Sequence, residues 1–332
     1  MEPAVSVVLP VRDGGPHLAA AVGSILAQEN CDFELILVDD HSSDGALESL
    51  PSRDARIRFI ANAGGGLIDA LNTGLRAARG HYIARMDADD IALPKRLRTQ
   101  LDYLARNPSV AIAGTEVELF AEGELGAGNQ RYQRWINVLR SPGAIHRERF
   151  IECPLPHPTW LMPRSVVRRL GGYRDAGWPE DYDFLLRAAS AGYRCGKPEG
   201  VLLRWRDHPD RASRIDPRYA QERFTAARAH FLAADELQGR PVVIWGAGPG
   251  GRDLHDALSR ESVTVQGFVD VHPRRIGGCK RGRPVWHFEE AGRRAREAII
   301  LVAVGVPSAR PEIRAVLQRM GRREGADWWF AA

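Results

Sequence analysis

Strand-like apolar runs alternate with helical stretches from the start of this chain, and that alternation restricts its fold more than anything else in the sequence. "VSVVLPV" (5–11), "FELILVDD" (33–40), "RIRFIAN" (56–62) and "HYIARMD" (81–87) are short and rich in Val, Ile and Leu. Runs of this length with little polar alternation read as strands covered on both faces, the habit of a parallel sheet. Between them lie "HLAAAVGSILAQ" (17–28), with apolar residues at helical spacing, and "GGGLIDALNTGLRAARG" (64–80), a glycine turn, a helix and a glycine stop. Parallel neighbours need a crossover, usually a helix, where antiparallel ones need only a tight turn. The fold class predicted is α/β, a mostly parallel sheet flanked by helices.

The pattern continues with a helix over "LPKRLRTQLDYLARNP", a strand over "VAIAGTEVELF" and a strand-like "PHPTWLMP" (156–163). The stretch 121–150 is polar and shows no clear period. "PEDYDFLLRAASAGY" (179–193) reads as a helix with acidic residues in its first turn, where they suit the helix dipole. A helical stretch over 217–237 leads to "RPVVIWGAGPGG" (240–251), where a strand runs into a glycine loop. "VTVQGFVD" ends in Asp270, and "AIILVAVGVP" (298–307) is a further buried strand. These predict a second, smaller α/β unit, with domains at 1–238 and 239–332.

In open α/β sheets ligands bind outside the carboxyl ends of the strands. "VDD" (38–40) and "MDADD" (86–90) both fall at such ends, which places them in one site. An Asp-x-Asp there offers hard oxygen ligands suited to magnesium or manganese. The same residues have plainer uses. Asp39 reads equally as a turn residue, and Asp90 as the cap of the helix that follows. Glu180 and Asp181 suit a helix N-terminus for dipole reasons alone. Trp160 and Trp178 read either as walls of a ligand groove or as packing.

Taken together, "VSVVLPVRDGGPHLAAAVGSILAQ", "FELILVDDHSSDG", "LIDALNTGLRAARGHYIARMDADD" and "LPKRL" resemble the start of family-2 glycosyltransferases of GT-A fold. The resemblance continues through "HPTWLMPRSVVRRLGGYRDAGWPEDYDFLLRAASAGYRCGKPEGVLLRWRDHPDRAS". It implies an inverting transferase that uses a nucleotide-sugar donor, UDP- or dTDP-type, and Mn2+ or Mg2+. It also implies site residues. Pro10, Val11, Arg12 and Asp13 form the loop beneath the nucleotide base. Asp40 accepts from a uracil-type imide, with Asp39 beside it. Asp87 and Ala88 face the donor, Asp87 also the metal, and Asp89 is the principal metal ligand. His208 approaches the metal or the diphosphate. Asp181 is the general base and Glu180 orients the acceptor, a glycan, lipid-linked or protein hydroxyl. One departure stands out. Many relatives carry a basic residue near "ALNTG", where this chain has Leu71 and Asn72 and the nearest base is Arg76. Charge on the diphosphate then falls to the metal and to other arginines.

Gly246-x-Gly248-x-x-Gly251 follows a strand and opens a helix, and Asp270 ends the next strand. That is the context of a dinucleotide fingerprint, in which glycines let the backbone approach a pyrophosphate. Pro249 removes one backbone donor from the turn. "GFVDVHPRRIGG" with "RGRPVW" resembles the small Rossmann-like modules carried by sugar-modifying acyltransferases and as appendages to other enzymes. Two alternatives therefore accompany the transferase: an NAD-dependent oxidoreductase, and a nucleotide-binding or oligomerisation module that makes a homo-oligomer.

Bulk properties exclude little more. The net charge is +4, from 46 basic and 42 acidic residues, too small an excess to argue for nucleic acid. The cysteines at 31, 153, 195 and 279 have no metal or redox spacing and are expected as reduced thiols. No signal peptide or membrane-length apolar run is seen, so the expectation is a cytoplasmic protein, peripheral at most to the inner face of the membrane. The apolar end "DWWFAA" is expected to pack on its own domain as a strand or helix.

Overall fold

The computed structural model describes residues 2–50 and 54–332. The chain divides into two compact units. One comprises Met1–Ile145, Pro154–Ala176 and Asp183–Ile215; the other comprises His146–Cys153, Gly177–Tyr182 and Asp216–Ala332.

The strands of the first unit are β1 (Val5–Val11), β2 (Phe33–Asp39), β3 (Ile57–Ala61), β4 (Tyr82–Arg85), β5 (Ile91–Ala92), β6 (Val110–Ala113), β7 (Glu116–Phe120), β8 (Leu161–Pro163), β9 (Arg194–Gly196) and β10 (Val201–Arg206). Among the described residues, seven form one sheet in the order β3-β2-β1-β4-β8-β6-β9, and the rest form a small sheet, β5-β10-β7. β1 pairs in parallel with both β2 and β4, and β3 adds in parallel beyond β2. β8 is antiparallel to β4 and to β6. Every residue of β1 is buried, as its unbroken apolar run requires. Leu18, Val22 and Ile25 of the helix Leu18–Leu26 cover one face, and Ala70 and Leu71 of the helix Leu67–Ala77 are buried likewise.

β1 leads to β2 and β3 on one side, and the chain then crosses to β4 on the other. The carboxyl end between β1 and β4 is thus a topological switch point, where open α/β sheets form their ligand crevice. The β1–β4 register ends at Val8 and Arg85, while β1 runs on to Val11. The chain therefore leaves the sheet just as the acidic segment begins.

Two stretches depart from the periodic reading. "VAIAGTEVELF" is two strands in two sheets, broken at Gly114 and Thr115. A glycine inside a strand commonly marks such a bend. "PHPTWLMP" is a 3-10 turn over His157–Thr159 and a strand only from Leu161, since Pro156 and Pro158 have no N–H for a ladder. The unassigned 121–150 stretch holds the helices Ala127–Val138 and Pro142–Glu148.

The second unit carries β11 (Val242–Trp245), β12 (Val265–Val269), β13 (Cys279–Lys280), β14 (Arg283–Trp286), β15 (Ile299–Val302) and β16 (Trp328–Phe330). Their order is β13-β14-β12-β11-β15-β16. Trp328, Trp329 and Phe330 are fully buried in β16, parallel to β15, so the apolar end of the sequence closes this unit's own core. β11 begins just beyond residue 238, and the helix Gln221–Phe231 clusters with the same unit. Among the described residues no helix is long and apolar enough to cross a membrane.

Candidate functional site

The loops after β1 and β2 are knitted together. Asp13, with a left-handed φ of 49°, accepts from Ser43 N at 2.7 Å, and its own N–H donates to Ser42 Oγ at 3.1 Å. Asp44 Oδ2 accepts from Gly15 N at 2.7 Å. Of the four residues predicted for this loop, Arg12 and Asp13 lie in it. Pro10 and Val11 do not, because they are still paired to β2 as Val38 and Asp39 partners. Pro10 is tolerated there because β4 has already ended on its other side.

Asp39 and Asp40 part company. Asp40 is 3% exposed, and its carboxylate accepts from Asn62 Nδ2 at 2.7 Å and from Gly66 N at 3.0 Å, at the start of the helix Leu67–Ala77. It fastens β2 to that helix. Asp39 is half-buried, accepts from Ser42 N at 2.8 Å, and lines an open cavity of about 340 Å³ with Leu47, Glu48, Phe59, Ile60 and Ala61.

The acidic segment sits between two sets of cations. One carboxylate oxygen from each of Asp87, Asp89 and Asp90 lies within 4.8 Å of the others. Beneath them, buried Arg85 pairs with Asp87 Oδ1. Arg96, also fully buried, donates to the Arg85 carbonyl at 2.7 Å, and its Nε lies 3.2 Å from Gln100 Oε1. Burial lowers the Arg96 pKa to about 9, while Asp90 and Asp87 oppose the drop; it stays cationic at neutral pH. From the β10 side, Arg206 Nε donates to the Asp89 carbonyl at 2.8 Å, and Arg206 N donates to Asp90 Oδ1 at 2.8 Å. His208 Nε2 lies 2.7 Å from Asp89 Oδ2.

Asp90 is not the cap of the next helix. That helix begins at Arg96, and its cap position is Lys95. Asp90 is instead fully buried in the site, and its Oδ2 has no hydrogen-bond partner. Burial, then the neighbouring Asp87 and Asp89, push its pKa well above the usual carboxylate range. Asp87 is raised too, by burial first and by Asp89, against the pull of Arg85. Crowded carboxylates whose charged forms are this disfavoured suit a divalent cation, and oxygen donors are the ligand type for manganese or magnesium.

Sequence reasoning missed four members of this cluster, Arg85, Arg96, Arg206 and His17. Arg85 and Arg206 read as ordinary strand residues. His17, whose ring centroid is 6.1 Å from that of His208, carries no motif signal. Burial, Arg206 and His208 lower its pKa. Asn72 exchanges hydrogen bonds of 2.9 Å with the Tyr173 backbone. Trp160 is wholly buried, with its Nε1 3.2 Å from the Leu155 carbonyl, so it packs rather than lines a groove.

In the second unit Glu180 opens the helix Glu180–Ser190 and is fully buried. Tyr219 Oη donates to its Oε1 at 3.1 Å, and Arg218 Nη1 stands 3.9 Å from Oε2. Asp181 is half-buried, next to it on the helix. Tyr182 donates through its hydroxyl to the Arg149 carbonyl at 2.7 Å. The Trp178 ring lies tilted against that of His230, with centroids 5.5 Å apart.

The glycine loop is shaped by close approach. Gly246 has φ +120° and faces the Ala303 carbonyl; a Cβ on Gly251 would lie 1.8 Å from the Gly246 carbonyl oxygen. Gly248 caps the helix Pro249–Arg260, and Pro249 takes its first position, where a missing N–H costs nothing. Asp270 accepts from Ala247 N at 3.1 Å, His272 N at 2.9 Å and Arg275 Nη1 at 2.9 Å. Burial pushes its pKa up, but these bonds prevail and hold it below the usual range.

Comparison with known proteins matches residues 6–171 to the family model described as glycosyl transferase family 2. A Haemophilus influenzae protein described as an uncharacterized glycosyltransferase is 31% identical over 222 residues, covering 64% of this chain and 68% of that one. The Escherichia coli O-antigen biosynthesis glycosyltransferase WbnJ is 30% identical over 214 residues, covering 61% and 80%. Among solved structures, residues 1–349 of S. aureus TarS, crystallised with UDP-GlcNAc, superpose with a TM-score of 0.55 at 14% identity, covering 78% of this chain and 73% of that one.

Proposed function

The chain belongs to glycosyl transferase family 2 and is a glycosyltransferase of GT-A fold, and from that premise we propose an inverting, metal-dependent enzyme that moves a sugar from a nucleotide-sugar donor to an acceptor hydroxyl. The observation that carries this reading is the acidic triad at the β1–β4 switch point. Three carboxylates within 4.8 Å, one with a buried oxygen lacking a partner, repel one another until a cation joins them. Asp87, Asp89 and Asp90 would hold Mn2+ or Mg2+, with Asp89 as the principal ligand. His208 fixes Asp89 or reaches the diphosphate. The ion, when bound, neutralises the diphosphate as it departs.

The chain's own residues supply the rest. Asp39, half open beside the β1 loop, takes the imide of a UDP- or dTDP-type base. That role suits it better than Asp40, whose carboxylate is spent on Asn62 and Gly66. TarS binds a donor of the same class. Asp181 removes the acceptor proton as its oxygen attacks the anomeric carbon, and a single displacement inverts that centre. Glu180, tied to Tyr219, anchors the helix end that carries Asp181 and so fixes the base rather than the acceptor. The acceptor is a glycan, lipid-linked or protein hydroxyl in surface polysaccharide synthesis, a reading supported by the likeness to WbnJ, an O-antigen biosynthesis glycosyltransferase. The 239–332 segment serves as a structural or oligomerisation module. Asp270, which a dinucleotide ribose would need, already holds its own loop.

A screen of nucleotide sugars with and without Mn2+ tests this reading. One nucleotide sugar raises Tm and is turned over only with the ion. Failure of every nucleotide sugar to stabilise the chain or to be turned over with Mn2+ overturns the reading.

A further inference from the structure

We propose that Arg85 is a positioning residue of the donor site, a resident counter-cation that sets Asp87 and offsets the charge of the acidic triad. The inference rests on the metal-dependent reading above and goes beyond it, since Arg85 touches neither donor nor acceptor in that scheme. Arg85 is the last residue of β4, and its side chain is only 4% exposed. A guanidinium this deep needs a reason, because an unpaired buried charge is costly. Its partner is Asp87, two residues on and on the same side of the chain.

The arginine is itself held. Its backbone N–H donates to the Trp160 carbonyl at 2.9 Å, and its carbonyl accepts from Arg96 Nη2 at 2.7 Å. Arg96 is locked in turn by Gln100, whose amide donates to the Ala113 and Thr159 carbonyls at 2.7 Å each. His157, buried with its Nε2 2.7 Å from the Tyr173 hydroxyl, lies in the field of Arg85 and is kept neutral by burial and by that charge. The floor of the triad is thus two buried arginines set by a rigid polar frame. Arg96 is directed at backbone and Gln100, whereas Arg85 is directed at a carboxylate. Of the two, Arg85 makes a direct ion pair with a carboxylate of the triad, whereas Arg96 meets Asp90 and Asp87 only through their field.

This arrangement gives opposite signs to two measurements. Removing the charge leaves the triad more negative and draws a divalent ion more strongly. Removing the guanidinium also removes the Nη1 contact to Asp87 Oδ1 and frees Asp87 to turn away from its working position. A merely structural residue would lower both quantities together.

The test titrates Mn2+ into the full, donor-free chain, following the free ion by electron paramagnetic resonance, beside steady-state transfer kinetics. For Arg85→Met with wild-type circular dichroism, Mn2+ binds about five- to tenfold more tightly, while kcat falls about tenfold or more. Arg85→Lys keeps the charge and loses the planar guanidinium whose Nη1 meets Asp87 Oδ1: Mn2+ affinity stays within about twofold of wild type, and kcat is only partly restored. Unchanged or weaker Mn2+ binding by a folded Arg85→Met overturns the proposal. If that variant does not fold, Arg85→Lys decides: a wild-type kcat overturns the proposal, and a reduced kcat at wild-type Mn2+ affinity upholds it. Absence of Mn2+ binding by the wild-type chain would instead overturn the metal reading itself, and this inference with it.

Discussion

The backbone N–H of Arg206 donates to Asp90 Oδ1 at 2.8 Å, joining two residues 116 positions apart. It does so at the end of β10, where the Arg206 side chain also reaches the Asp89 carbonyl. The acidic segment is therefore gripped from two directions, by Arg85 at the end of β4 and by Arg206 and His208 at and beyond the end of β10. A loop held on both sides presents its carboxylates in a fixed arrangement, which a metal–diphosphate centre requires.

Asp90 carries both a structural bond and a charge, and two variants separate them. Asp90→Ala orphans the Arg206 N–H and should cost about 1–3 kcal/mol in urea unfolding. Asp90→Asn keeps an acceptor oxygen and removes a charge that burial disfavours. Its metal-free stability should equal or exceed wild type, while its Mn2+ affinity falls. Equal losses of stability in the two variants would show that the charge, not the bond, holds the loop.

Asp181→Asn should abolish transfer with little change in Tm, because the side chain is half-buried and the amide fits the same space. Tyr219→Phe removes only the hydroxyl that donates to Glu180 at 3.1 Å. It should cost about 0.5–1.5 kcal/mol of stability and lower kcat several-fold by loosening the helix end. Full activity in Asp181→Asn would remove it as the base.

His157 makes stability depend on pH in a definite direction. Burial and Arg85 depress its folded-state pKa well below the usual value of 6.5. Below pH 6.5 the unfolded chain takes up a proton that the folded chain refuses. Stability is therefore whole above about pH 6.5 and falls as the pH drops toward the folded pKa, by up to about 1.4 kcal/mol per pH unit. Urea unfolding of wild type and His157→Gln between pH 7.5 and 5 checks this. Parallel curves would place the proton elsewhere.

Much of this was legible in the sequence. Unbroken apolar runs marked β1 and β2 because strands covered on both faces must look that way, and the ends of β2 and β4 located the acidic clusters. What was not legible depended on contacts between distant segments. Arg85 and Arg206 carry no local pattern, since their partners are set by where β4 and β10 end. Asp90 looked like a helix cap because caps are judged from the residues that follow, and its true partner lies 116 positions away. The resemblance gives the base-binding role to Asp40 and leaves Asp39 beside it. Only the approach of Asn62 and Gly66 shows which carboxylate is consumed. The strand-like reading of 156–163 holds only from Leu161, because apolar content suggests a strand while the missing donors of Pro156 and Pro158 forbid one before it.

Gly251 provides a test in the second unit. A Cβ there would lie 1.8 Å from the Gly246 carbonyl oxygen, a backbone atom that cannot swing aside. Gly246 in turn faces the Ala303 carbonyl beyond β15, so the strain passes to the sheet. Gly251→Ala should destabilise this unit by about 1–3 kcal/mol or more, seen as a lowered calorimetric transition in the full chain. Gly250→Ala is the control, since its Cβ comes no nearer than 3.8 Å to the Ala303 carbonyl oxygen. If the loop is structural, Gly251→Ala shifts the transition to the same extent with and without NAD. If the loop instead binds a dinucleotide, NAD stabilises the wild-type chain and the variant loses that increment.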